Sequence, residues 1–257
     1  MDAEAIEIEK GAPSIWGAIR PYFEKESLAA FFLGVSSGFP FAMIGATLTT
    51  RLKQDGIDKA TITAFTLAFL VYNLKVFWAW IIDGVRLPVI GRMGQRVSWM
   101  LVIGLLVIAA TINLALVDPA KDLSATVFAA VLVGIAGASF DIVIDAYRIE
   151  TLKPYQLGTG SGMSQYGWRV GSAGAGALAL VIAARHGWSS GYVACAMFAV
   201  PAMAVALLLG EPERRTVVIA RRGLRDVWTS IYGPFAEFFA RADLLDTRYA
   251  AQEHKAD

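Results

Sequence analysis

The sequence predicts an all-α membrane protein of six transmembrane helices, and three observations predict it. The chain has 257 residues, 56% of them hydrophobic, and a mean hydropathy of +0.53. Its apolar residues gather into six runs, each close to the ~20 residues that a bilayer core requires. The runs are long and do not alternate with period two, so they read as helices rather than barrel strands.

The elements follow in order. Residues 1–27 are of mixed charge and carry no short apolar core with a small-residue cleavage site, so the first span serves as the insertion signal. Span one, 28–49, holds a small-residue stripe of Gly34, Gly38, Phe41 and Gly45. Gly34 and Gly38 form a GxxxG pair that permits close helix approach. Pro40 predicts a kink or a break near mid-depth. Span two, 61–82, contains Lys75. Span three, 97–117, and span six, 190–210, contain no charge and can face lipid. Pro201 should loosen span six. Span four, 124–149, ends in SFDIVIDAYRIE. Span five, 161–184, carries Arg169 on a small and polar stripe of Ser161, Gln165, Arg169, Ser172 and Gly176. Residues 211–257 read as a linker and a polar tail. The organisation expected is therefore an N-terminal segment 1–27, a bundle 28–210 and a tail 211–257.

Basic residues set the orientation. Lys25, Arg86, Arg92, Arg96, Lys153 and the arginines of 214–225 fall on one side. Arg51, Lys53, Lys59, Lys121 and Arg185 fall on the other. The richer side should be cytoplasmic, which places both termini inside.

Charges within spans are the candidates for function. Each costs at least ~2.5–3.5 kcal/mol at mid-bilayer, so it faces a bundle interior or a wet cavity. Asp141, Asp145 and Arg148 are spaced i, i+4, i+7 and share one helical face. At 1.5 Å per residue, Lys75, Asp141 and Arg169 fall at similar depth, roughly 5 Å to the cytoplasmic side of the midplane. Opposite charges at one depth can pair. A substrate or proton pathway over Lys75, Asp141, Asp145, Arg148, Gln165 and Arg169 is one reading. A charge network that only locks helices together is the other.

Other chemistries find no support. The net charge of +1 leaves no nucleic-acid footprint. The lone Cys195 sits in an apolar run and reads as a packing residue. HExxH, Walker, CxxC and GxSxG motifs are absent. Neither an enzyme, a cofactor nor a metal site is expected.

Three segments carry a resemblance. LGVSSGFPFAMIGATL in span one, LKVFWAWIIDGVRLPVIGR around span two, and above all SFDIVIDAYRIE are similar to the AmpG-type muropeptide permeases of the major facilitator superfamily. The stretch Asp83, Gly84, Val85, Arg86 to Gly91 and Arg92 resembles that superfamily's acidic-then-basic loop between helices two and three, with LPVI inserted. The resemblance covers roughly residues 26–241. It implies that six spans make one half of a twelve-helix fold, with Asp83, Arg86, Gly91 and Arg92 as a conformational loop. It implies proton-coupled import of an anionic glycopeptide across the bacterial inner membrane. The partners implied are protons, lipid, and a second six-helix half or a second copy of the chain. A frameshifted or prematurely stopped product, a fragment, and a half-transporter needing a partner are the readings of the six-span length. Import of another anionic solute, such as an acyl-CoA-like compound, and a non-transporting scaffold are the competing functions.

Overall fold

A computed structural model describes residues 15–87 and 90–212. Six membrane-length elements run through them. They are α1 (Lys25–Gln54), α2 (Lys59–Leu74 continued by Val76–Gly84 across a 43° bend), α3 (Gln95–Leu116), α4 (Leu123–Thr151), α5 (Pro154–His186) and α6 (Trp188–Leu209). A short helix, Ile15–Ile19, precedes α1. No strand occurs among the described residues. The expected tail, 211–257, lies outside the described residues from 213 onward, as do residues 1–14.

Most helices overrun the expected spans because polar residues near their ends cap the helix rather than break it. Asp58 accepts from the Thr61 backbone N–H at 3.0 Å and Asp122 from that of Ala125 at 2.8 Å, each satisfying a donor that the first turn leaves over. Hydrogen bonds from the Thr61 side chain and backbone hold the Asp58 carboxyl below its ordinary range. At the other ends, Gly187 and Gly210 adopt φ of 84° and 75°, which suits the residue that terminates a helix. Short connections make consecutive helices antiparallel. The end where the chain enters α1 is the entry end and the opposite one the far end.

The tightest contact is between α1 and α5. A Cβ on Gly34 or Gly38 would overlap the carbonyl oxygens of Ser164 and Trp168. A Cβ on Gly167 or Gly171 would overlap those of Phe31 and Val35. Backbone therefore meets backbone over two turns, the geometry that small residues permit where lipid supplies no hydrophobic drive. The expectation of a packing role for GxxxG holds. Leu33, Phe39, Met43, Met100, Leu114, Val133 and Phe140 fill the centre, all fully buried.

Two irregularities adjust the prolines. Pro40 stays inside α1 and does not break it. The break falls one turn later, where Met43–Thr47 forms a wide π turn and Gly45 leaves helical geometry (φ −89°, ψ −111°). The Phe69 ring stands 3.1 Å from where a Gly45 Cβ would lie. Pro201 loosens α6 as expected. Ser36 of α1 repairs it: the Ala202 N–H donates to the Ser36 hydroxyl at 2.9 Å, the kind of cross-helix rescue that tolerates proline in a bilayer.

One basic residue departs from its expected place. Arg51, counted among the loop charges of the far end, is 5% exposed. Its guanidinium donates to the Leu114 carbonyl at 3.0 Å and to that of Val117, and it lies 5.6 Å from the centre of the Tyr192 ring.

Candidate functional site

Sequence places the three charges of α4 on one face; packing decides what they meet. Asp141 accepts an ion pair from Lys75 of α2 and a hydrogen bond from the Ser37 hydroxyl of α1 at 2.5 Å. Three helices thus share one carboxylate. Lys75 stands at the bend of α2, between the helical stretches ending at Leu74 and beginning at Val76. The Lys75 and Asp141 side chains keep 31% and 22% of their surface, so the pair is not sealed within the bundle. A charge pair in this position satisfies both partners at mid-depth.

Small residues make room for the node. A Cβ on Gly137, one turn before Asp141, would stand 2.5 Å from the Tyr72 hydroxyl and 2.7 Å from the Pro40 ring. Tyr72, one turn before Lys75, buries its hydroxyl there without a hydrogen-bond partner among the described residues. Beside the node, the Trp78 indole N–H donates to the Ser139 hydroxyl at 2.9 Å.

Asp145 and Arg148 pair with each other at 2.9 Å along α4. Arg148 also buries its Nε without a partner among the described residues, so it does not simply reach out to the headgroups.

Arg169, expected at the depth of Lys75 and Asp141, does not join them, and neither does Gln165. The face of α5 against α1 carries Ser164, Gly167 and Gly171, all buried. Arg169 is two residues from Gly167 and from Gly171, which turns it about 200° from that face at 3.6 residues per turn. Both Arg169 and Gln165 are exposed. Rotation about the helix axis keeps Arg169 from that contact.

A larger ionic network stands beside the expected conformational loop. Only Asp83 of that set engages. Its partner is Arg96, in the first turn of α3, at 2.6 Å. Arg96 also pairs with Glu150 at the end of α4 at 2.6 Å, with further bonds from Nε at 3.0 and 3.1 Å. Arg86 and Arg92 are exposed and make no ion pair among the described residues. Gly91 only closes a turn, donating its N–H to the Leu87 carbonyl at 3.1 Å. Arg92 is a poor partner because it precedes α3, whereas Arg96 lies within it and projects sideways toward α2 and α4.

Glu211, just beyond α6, completes this end. Its carboxylate accepts from the backbone N–H groups of Gln95, Arg96 and Val97 at 2.8, 3.1 and 3.0 Å. The Tyr147 hydroxyl of α4 donates to the Gly210 carbonyl at 2.7 Å. Sequence reasoning missed Ser37, Tyr72, Arg96, Glu150 and Glu211 as site residues. The available signal was a charge abutting an apolar run on both sides of one membrane face.

No group of three or more potential metal ligands occurs among the described residues. The arrangement holds a carboxylate and an amine that can exchange partners.

The family profile described as Major Facilitator Superfamily matches residues 28–250. The Rickettsia conorii protein named AmpG 4 is 32% identical over 213 residues, covering 82% of this chain and 51% of the relative. The Anhydromuropeptide permease of Escherichia coli is 29% identical over 224 residues, covering 87% of this chain and 44% of the relative. The Rickettsia prowazekii protein named AmpG 3 is 29% identical over 191 residues, covering 74% and 45%. The chain spans about half the length of the curated relatives it matches.

Proposed function

This chain belongs to the major facilitator superfamily, and from that premise we propose that it forms the six-helix half of a proton-coupled permease for anionic cell-wall glycopeptides of the anhydromuropeptide class. The observation that carries the proposal is the Lys75–Asp141–Ser37 node. It joins three helices, lies at a bend, and remains partly open. A carboxylate-bearing solute approaching Lys75 competes with Asp141 for the ammonium. Asp141, left then with the Ser37 hydroxyl alone, becomes the site at which a proton can replace the lost cation. Substrate and proton then favour each other's binding by the same factor. Asp145, already held by Arg148, serves as the fixed charge beside it.

The chain lies in the bacterial inner membrane with both termini cytoplasmic, by the basic asymmetry. The entry end is then cytoplasmic, and the Asp83–Arg96–Glu150 network braces that face. Residues 28–210 form the bundle and 211–257 the linker and tail. Gln165 and Arg169, exposed on α5, face a second six-helix half across a shared cavity, where a cation also suits an anionic solute.

The test is uptake of labelled anhydromuropeptide in permease-deficient cells that produce this chain with a second six-helix half of an AmpG-type permease. Accumulation dependent on a pH gradient is expected, and loss of it in Lys75→Gln at equal membrane abundance. Uptake that ignores both the pH gradient and Lys75 would sink the proposal.

A further inference from the structure

A second feature opens between α2, α3 and α4, on the far side of the Trp78–Ser139 contact from the ion pair. These helices enclose an open groove of about 510 Å³, walled by Trp78, Ile82, Trp99, Ile103, Ile135 and Ser139 among others. From Trp99 to Asn113 it follows α3 for fourteen residues, roughly 21 Å at 1.5 Å per residue. That exceeds the ~15 Å of one leaflet's hydrocarbon. Three of its four polar side chains are engaged, and the fourth, Asn113, lies at the far end. The Trp78 indole bonds to Ser139, the Ser139 hydroxyl donates to the Ile135 carbonyl at 2.8 Å, and the Trp99 indole donates to the Val85 carbonyl at 2.8 Å. The groove is therefore dry and apolar along most of its length, and suited to a chain with no hydrogen-bonding groups.

Its mouth at the entry end is basic. Val85, held by Trp99, is followed at once by Arg86, and Arg92 lies one turn before α3. Both arginines are exposed. Arg96, by contrast, is consumed by Asp83 and Glu150. Arg86 thus directly follows the residue that Trp99 of the groove wall holds, and Arg92 is exposed on the same connection between α2 and α3.

We propose that this groove seats one acyl chain of an anionic glycerophospholipid, with its phosphate at Arg86 and Arg92. Arginine forks match phosphate oxygens, and a basic residue near an anionic membrane surface contributes on the order of 1 kcal/mol. The occupant reads the charge of the leaflet through residues on the connection that follows Asp83 at the end of α2, so it lies next to the network that braces the entry end. This inference does not depend on what the protein transports.

Quenching of tryptophan fluorescence tests it. The full chain is reconstituted in phosphatidylcholine vesicles containing phosphatidylglycerol, with bromine on the acyl chains of one lipid or the other. The signal of the groove is the difference between the chain and its Trp78→Phe/Trp99→Phe variant. Brominated phosphatidylglycerol should quench that signal at a mole fraction on the order of tenfold lower than brominated phosphatidylcholine. Arg86→Gln/Arg92→Gln, which changes only exposed residues, should abolish the preference while leaving quenching by phosphatidylcholine intact. Ala136→Phe, which fills the groove, should reduce quenching by both lipids. Equal quenching by the two lipids overturns the proposal, and so does a preference that survives the double arginine variant. Protection from both lipids by a second copy, seen as a crosslinked dimer through α3, overturns it as well.

Discussion

Glu211 and Arg51 hold opposite ends of the same helix. The Glu211 carboxylate accepts the first three N–H groups of α3, and the Arg51 guanidinium donates to the carbonyls of Leu114 and Val117 at its close. The anion meets the positive end of the helix dipole and the cation the negative end. Neither residue belongs to α3. One comes from just past α6 and the other from α1, so both helices are fastened to α3 through its orphan backbone groups.

Loss of either grip should weaken the bundle independently. Glu211→Ala should destabilise by about 1–2 kcal/mol, the range of a lost N-cap. Arg51→Met should cost about 2 kcal/mol, because carbonyls bonded to a charged donor are left buried and unpaired. The sites lie roughly 33 Å apart along the 22-residue helix, so the double variant should be additive within ~0.5 kcal/mol. Equilibrium unfolding in detergent with added denaturant reads all three. Strong non-additivity would show that α3 does not act as a rigid strut.

The α1–α5 contact should be intolerant of a single methyl. Gly167→Ala pushes a Cβ onto the Phe31 carbonyl and should cost about 1–3 kcal/mol through forced separation of the helices. Gly158→Ala and Gly162→Ala, on the same helix, place theirs in open space. They should be neutral or stabilising by about 0.5–1 kcal/mol. Thermal aggregation midpoints of the three variants in one detergent give the comparison. Equal behaviour would contradict the close crossing.

The node should respond differently to its two charges. Lys75→Met leaves Asp141 with Ser37 alone, and Asp141→Asn leaves Lys75 uncompensated. Each should cost about 1–2 kcal/mol, less than a fully buried pair because both side chains are partly exposed. Lys75→Met with Asp141→Leu should recover part of that loss. In an assembled permease, Asp141→Asn should retain substrate binding and lose accumulation driven by a pH gradient. Asp145→Asn should mainly lower folded yield. Gradient-driven accumulation by the Asp141→Asn protein would make Asp141 structural.

Orientation is open to labelling. With Cys195 replaced, cysteines at positions 53 and 121 should react with an impermeant thiol reagent from outside intact cells, and one at position 92 should not. Lys121 is 83% exposed at the side chain, so failure to label it could not be ascribed to burial. Outside labelling of position 92 would invert the topology.

Number, extent and order of the spans were legible in the sequence. The length of an apolar run against the thickness of a bilayer is a one-dimensional property, and each helix covers nearly all of its expected run. The shared face of Asp141, Asp145 and Arg148 was legible for the same reason, since rise and turn angle are constant within one helix. Which charges meet was decided only by the tertiary structure. Depth specifies one coordinate of a side chain, while its partner depends on the rotation and tilt of two helices. The glycine-to-backbone crossing of α1 and α5 turns Arg169 outward and leaves Asp141 to Lys75 and Ser37. The start of α3 at Gln95 gives Asp83 to Arg96 instead of Arg92. The approach of α3 to α1 draws Arg51 out of its loop and into the interior. In each case a backbone fit between helices, invisible in any single run of residues, chose the partner.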